Sequence, residues 1–450
     1  MTTYNYRLKL YDLLKKTKTK HYFDFFLSTL DWNKKELYAY RLAKLRELVA
    51  YARTHCAYYR DIFDKNNIAP GSICSLEDLK RIPVLTRQDI RENLSSLLSS
   101  EKDRLTCFKS SSSGTTGIPI TYYQDGDGHG AGIAAGYLSC YLSGWRFGHR
   151  SLHIWGNRSS VKNWSTPGSR LKQKLFRQKK LAATILNDEK NYPQVIDLIN
   201  RFKPYSIDGY TSSIYSLARY LRENQVDIHK PGIVFTTAEN LFPYQREIIE
   251  QELAKVSDIY GCGEINGIAV QPLDSARYYI IEPHVIVETE KTGTDPGLHE
   301  IIVTDLDNRV LPFIRYKIGD LIDEIRLNDG TGPVKYDYFS RVRGRAVDTI
   351  DLGSGKKLFP INIVGGTAFR KIPGIVKHRV TWDGQCLHFI FETNEHFNLP
   401  TAEQTIREIL VEYDYNVKTG IEPVKKLLPG DNGKFTYFEN KQSKGVEPAP

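Results

Sequence analysis

SSSGTTGIP, running from Ser111 to Pro119, packs two glycines and five hydroxyl side chains into nine residues. Glycine has no Cβ, so at Gly114 and Gly117 backbone amides can come close to a bulky anion. The hydroxyls of Ser111, Ser112, Ser113, Thr115 and Thr116 add donors, and together these groups suit a polyphosphate. The G-x-x-x-x-G-K-[ST] order of a Walker loop is absent. Taken alone, the residues fit an ordinary Ser/Gly connection equally well, so the surroundings decide how the loop is read.

Upstream, the first hundred residues read as mainly helical. Apolar residues recur at helical spacing from Leu37 to Arg53, Ser75 to Asp78 looks like a capped helix start, and Thr86 caps a helix through Leu98. Downstream of Leu105, strands alternate with helices. The strands are Ser151 to Trp155, Tyr205 to Tyr210, Gly232 to Thr236 and Val256 to Tyr260. The helices are Tyr192 to Phe202, one carrying Ile214, Leu217 and Ala218, and Tyr244 to Leu253. That alternation implies α/β layers.

After Tyr278 the pattern becomes β-rich, with strands Tyr278 to Ile281, His284 to Thr289, Glu300 to Asp305 and Asp320 to Leu327. Gly353 and Gly355 mark a tight hairpin between Ala346 to Leu352 and Lys356 to Phe359. Beyond Pro360 lies an α+β unit. Its order is a helix (Ile361 to Arg370), paired strands (Val376 to Trp382, Cys386 to Glu392), a helix (Thr401 to Tyr413) and a strand (Ile421 to Lys426), which suggests a ferredoxin-like lid. The expected fold class is therefore α/β. A large domain over residues 1–347 has layered sheets and a β-rich subdomain, and a small α+β lid follows over 348–450.

A chain of 450 residues exceeds one compact core. Formal charge is +9, from 62 basic and 53 acidic residues, which favours anionic partners: nucleotides, acidic glycans, anionic membrane surfaces or nucleic acid. Short basic clusters occur at Lys15 to Lys20 and Arg170 to Lys180. Neither zinc-finger spacing nor an aromatic-basic RNA-binding pattern is present, so no nucleic-acid partner is expected. The six cysteines form no C-x-x-C pair, which argues against a disulfide scaffold or a structural zinc site. The first twenty residues are too charged for a signal peptide, and Ala131 to Trp145 is too polar for an integral membrane segment. A cytoplasmic setting is the expectation.

The loop has ordered company: TTAENL (Thr236 to Leu241), DIYGCGEING (Asp258 to Gly267), VTDLDNRVLPFIRYKIGD (Val303 to Asp320), RVRGRAVDTIDLGSGKKLFP (Arg341 to Pro360) and PGDNGKFTYF around Lys434. In this order the motifs resemble the adenylate-forming superfamily. The closest resemblance is to its phenylacetate–CoA ligase-like branch, which includes capsule-biosynthesis homologues, and it runs from about Tyr51 to Tyr437. The resemblance implies ATP and Mg²⁺ as cofactors. Ser111, Ser112, Ser113, Gly114, Thr115, Thr116 and Gly117 would hold phosphates, and Ala238, Glu239, Tyr260 and Gly261 would line the nucleotide site, with Tyr260 stacking on adenine. Glu264 would hold the metal. Asp320 would accept from the ribose hydroxyls, braced by Arg315 and Tyr316. Arg345 would be a second ribose or phosphate ligand, Asp348 the hinge of the lid, and Lys434 the catalytic lysine.

The function that the resemblance implies is activation of a small carboxylic acid as an acyl-adenylate and its transfer to the thiol of CoA. An amine acceptor such as an amino sugar of a surface polysaccharide is the alternative, and a degenerate nucleotide-binding protein the outlier. Two departures stand out: Ile118 replaces a lysine common in relatives, and Gly263 replaces a Thr or Ser hydroxyl. No zinc is expected, because the strands around His284 offer no Cys, and His284 reads as a strand residue. The acid pocket is expected from Tyr137 to Trp145, Tyr210 to Ser213 and Thr236 to Ala238.

Overall fold

The computed structural model of the chain describes residues 3–112, 119–156, 164–292, 297–353, 356–365, 368–430 and 433–442. It is a mixed α/β structure with several sheets, as expected. Among the described residues, no helix is long and apolar enough to cross a membrane. The chain divides into two units, Met1–Arg150 with Lys174–Arg177 and Val256–Val342, and Ser151–Gln173 with Gln178–Lys255 and Arg343–Pro450.

In the first unit, the helix Lys34–His55 begins in a capping box. Asn33 accepts from the amides of Lys35 and Glu36 while Glu36 reaches back. Thr86 and Asp89 form the same device for Arg87–Leu97. The Ser75 cap forms, Asp78 accepting from the Ser75 amide and donating its own to Ser75 Oγ, but only the 3₁₀ segment Glu77–Arg81 follows, since Ile82 is extended ahead of Pro83.

Strand Cys107–Ser111 pairs antiparallel with Thr121–Asp125, Ser111 facing Thr121. The Ser/Gly loop is therefore the connection of a hairpin. Asp125 then caps the helix Gly126–Leu142 through the amides of Asp127 and Gly128, and its second oxygen accepts from Arg309 and Val310. A Cβ at Gly128 would lie 2.7 Å from that of Asn308, so only glycine allows this helix so near the 308 loop.

The antiparallel strands Val285–Lys291, His299–Asp305 and Tyr316–Ile322 form one sheet, and Val256–Tyr260, Ala269–Gln271, Tyr278–Ile280 and Tyr338–Phe339 pair antiparallel in that order. Asp320 thus lies inside a strand rather than at the start of one, since pairing begins at Tyr316 opposite Val303.

In the second unit, Ile233–Thr237, Ser206–Tyr210, Ser151–Ile154 and Gln178–Leu181 lie side by side, all parallel. Helices Tyr192–Phe202, Thr211–Glu223 and Pro243–Glu252 alternate with them. Parallel pairing puts the ends Trp155, Tyr210 and Ala238 at the same carboxyl edge, the customary ligand edge of such sheets.

The C-terminal segment is α+β, as expected. Its connectivity departs from a ferredoxin-like unit. Ile375–Trp382 and Cys386–Thr393 form a hairpin, and the helix Leu399–Glu412 returns Lys418–Val424 parallel to the latter. Phe438–Asn440 adds parallel to the former. Its core includes Trp382, Phe389, Phe391 and Ile406, together with Phe242 and Tyr244. The expected helix over 361–370 is the shorter Pro360–Val364, with a 3₁₀ turn at Ala368–Lys371. The 353–355 hairpin joins Ile350–Asp351 to Lys357–Leu358, with Gly353 at φ +82° and Gly355 outside the described residues.

Candidate active site

The first unit brings two motifs together. Tyr260 ends its strand and donates its phenol to Asp320 Oδ2 at 3.0 Å. Four residues along, Glu264 is 1% exposed, and its Oε1 accepts from Tyr316 Oη and Arg87 Nη2, each at 3.2 Å. The YGCGE and RYKIGD segments are thus cross-linked twice, Asp320 to Tyr260 and Tyr316 to Glu264. Burial, with the neighbouring Glu264 charge, pushes the Tyr316 phenol far above its usual range, so it remains a donor. Asp320 follows Gly319, whose φ is +88°, and the ladder shifts register between Glu300 and Ile302 opposite it. Such an irregularity re-aims a strand side chain.

The bracing expected around Asp320 is different from that found. Arg315 pairs with Glu288 at 3.0 Å and donates to the carbonyls of Lys80 and Ile82, while Tyr316 serves Glu264. Arg315 has φ +52°, which turns its side chain away from the strand that follows. Arg87, first residue of its helix, is the site residue that sequence reasoning missed. Its only local mark is the capping signal at Thr86.

A Cβ on Gly263 would lie 3.0 Å from the Tyr122 hydroxyl. The place of the missing Thr or Ser side chain is therefore bordered by a phenol from the strand that follows the Ser/Gly loop. Of that loop, Ser112 closes the hairpin, its amide donating to Ile120 O and its Oγ accepting from Ile120 N. Ser113, Gly114, Thr115, Thr116, Gly117 and Ile118 lie outside the described residues.

The second unit gathers another set at the carboxyl edge of its parallel strands. Ala238 has φ +67°, a conformation costly for a residue with a Cβ and frequent at functional sites. Glu239 was expected at the nucleotide. Its carboxylate is engaged by protein: Oε2 accepts from Ser212 N at 2.7 Å, and Oε1 from Ser212 Oγ at 3.0 Å and from Phe435 N at 2.7 Å. Burial pushes its carboxyl above the usual range, against the Ser212 and Phe435 amides and the Lys434 ammonium, which hold it down.

Phe435 is the residue after Lys434, whose Nζ stands 5.5 Å from the centroid of the Tyr210 ring. Gly433 has φ +84°, and a Cβ there would lie 3.0 Å from Gly156 O. The lysine is therefore fixed on both sides, by a glycine that permits a close backbone approach and by an amide held on Glu239. Arg345 ends the strand Val342–Arg345, and Asp348 ends the 3₁₀ turn after it.

Two expectations are revised. Tyr137 and Trp145 stack at 5.8 Å and pack with Phe147, and Tyr137 also packs against Phe23, so they serve core packing. His284 lies in the turn before its strand and is fully enclosed, with Nδ1 3.0 Å from Asp307 and Nε2 3.1 Å from the carbonyl of Asn266. With Asp305 these residues place possible ligand atoms within 4.8 Å of one another. Lys44 Nζ lies 3.0 Å from Asp307. Burial lowers the His284 pKa, but the two aspartates and the Asn266 carbonyl outweigh it and leave it raised. The Asp305 carboxyl is pushed up to about 6 by burial. Two bases thus balance two acids, and the cluster tethers the loop that carries Glu264.

No protein-family model matches the chain. It is 25% identical over 368 residues to Protein CapK of Staphylococcus aureus, covering 79% of this chain and 78% of that one. It is 26% identical over 343 residues to a phenylacetate-coenzyme A ligase of Pseudomonas putida, covering 72% and 74%. Among solved structures, 2-hydroxyisobutyryl-CoA ligase in the postadenylation state superposes with a TM-score of 0.70 at 17% identity over 90% of each chain. The chain is similar to phenylacetate–CoA ligases. Its fold is shared with 2-hydroxyisobutyryl-CoA ligase, and its curated relatives include several named phenylacetate-coenzyme A ligase. In this chain, Tyr260, Glu264 and Asp320 are assembled in one unit, and Glu239, Tyr210 and Lys434 in the other.

Proposed function

We propose that the protein activates a small carboxylic acid with ATP and passes the acyl group to the thiol of CoA. A carboxylate oxygen attacks the α-phosphorus, the bond to the bridging oxygen of the β-phosphate breaks, and pyrophosphate leaves. The thiol then attacks the acyl carbon, losing its proton, and AMP departs with the electrons of the broken C–O bond. The observation that carries this reading is the fixed Lys434. Its neighbouring amide is held on Glu239 and its ammonium over Tyr210, which suits a preorganised charge for oxygens whose charge shifts during adenylation.

In this reading Asp320 receives the ribose hydroxyls, with Tyr260 beside it on the adenine. Arg345 adds a ribose or phosphate contact, and Ser111 to Gly117 hold the phosphates. Glu264 offers one carboxylate, which fits Mg²⁺, an ion usually held by one or two carboxylates together with substrate phosphates. Bound there, the ion would offset the charge of the polyphosphate. Arg87 and Tyr316 hold that carboxylate oriented. Residues 348–450 would act as a lid turning about Asp348 between the half-reactions.

The CoA acceptor is supported by relatives named as CoA ligases and by a solved neighbour described in complex with 2-HIB-AMP and CoA. The second reading has an amine acceptor, such as an amino sugar of a surface polysaccharide. Pyrophosphate release from Mg·ATP with a panel of aryl, short aliphatic and amino acids, with and without CoA, tests both. Acid-dependent release with acyl-CoA formation is expected. An adenylate discharged by amines and not by CoA would replace the thioester reading, and no release with any acid would end it.

A further inference from the structure

We propose that the first helix attaches the protein to anionic membrane surfaces by inserting an exposed leucine face. The helix Thr3–Lys15 is apolar on two sides. One side, Leu8 and Tyr11, is buried among Tyr22, Phe23, Phe26 and Phe176. The other carries Tyr6, Leu10, Leu13 and Leu14, which are 50%, 39%, 77% and 69% exposed. At 3.6 residues per turn these four fall within an arc of about 100°. A helix end needs no outward leucines for folding once its inner face is docked.

Charge selects the occupant. The first twenty residues hold six basic side chains, Arg7, Lys9, Lys15, Lys16, Lys18 and Lys20, and a single acid, Asp12. Asp12 is turned inward, accepting from Thr17 Oγ, Thr19 N and Lys20 N. Lys9, Lys15 and Lys16 are exposed beside the leucines or just past them. Lys18 and Lys20 are paired with Asp127 and Asp24, so the charge offered to a surface comes from Lys9, Lys15 and Lys16. A second copy docked by the same face would set lysine against lysine, which opposes self-pairing. An anionic bilayer meets both features, since leucines enter the acyl boundary and lysines remain at the headgroups.

The test is sedimentation of the full chain with vesicles of phosphatidylcholine alone, or with about 30% phosphatidylglycerol, at low and high salt. Binding to the anionic vesicles should exceed that to neutral ones by about tenfold and weaken in high salt. Leu13→Ser with Leu14→Ser should lower it by about tenfold or more. Lys15→Glu with Lys16→Glu should lower it while leaving circular dichroism and pyrophosphate release unchanged. Failure to bind either vesicle, equal binding to both, or a solution dimer that the leucine variant splits would each overturn the proposal.

Discussion

Replacing Glu239 by Ala removes the acceptor that holds the amide next to Lys434. Three donors lose their partner: Ser212 N, Ser212 Oγ and Phe435 N. A hydrogen bond to a charged acceptor contributes about 1.5–3 kcal/mol net. If the Phe435 bond alone positions the lysine, its loss should slow adenylation by roughly 10- to 100-fold. Pyrophosphate release in single turnover measures this step. Release of AMP from pre-formed acyl-adenylate with CoA measures the second, which should change little, because the lysine's charge is needed while pyrophosphate departs. Glu239→Gln should lie between, since it retains one acceptor oxygen. In the pair of variants, Glu239→Ala should add almost nothing to Lys434→Ala, as both remove one device. Full additivity of the two losses, or equal damage to both half-reactions, would refute the assignment.

Other consequences are equally specific. Arg87→Ala leaves a nearly unexposed Glu264 without its cation, so denaturant unfolding should show a loss of about 3 kcal/mol, partly restored by Arg87→Lys. Gly433→Ala places a Cβ 3.0 Å from Gly156 O at a left-handed position, and should depress adenylation while shifting the melting temperature by only a few degrees. His284 has a raised folded pKa, so its contribution to stability is full below its unfolded value near 6.5 and is lost as pH rises through the folded value. The melting-temperature deficit of His284→Gln should therefore be larger at pH 6 than at pH 9, and an equal deficit at both would contradict the charged imidazole.

Elements whose signals lie within one turn or one pleat were legible in the chain. The helix Tyr192–Phe202 and the strand Val256–Tyr260 occur with the bounds that periodicity gives, and the Thr86 cap starts its helix where the capping box places it. Misses occurred where a local signal met a competing partner. Arg315, with its positive φ, pairs its guanidinium with Glu288 rather than Asp320. Tyr137 and Trp145 suit a pocket wall or a core equally well by composition, and packing against Phe147 decided between them.

The sequence by itself determined the order of strands and helices, the glycines where chain must approach chain, and the residue types of an adenylation site. Period and capping are properties of neighbours along the chain, and motif order survives without coordinates. Only the tertiary structure decided which of those residues work together. Arg87 reaches Glu264 across 177 residues and Phe435 reaches Glu239 across 196. No periodicity encodes such pairs. They exist because burial strips water from a carboxylate and leaves it to be satisfied by whatever donor the fold brings within about 3 Å.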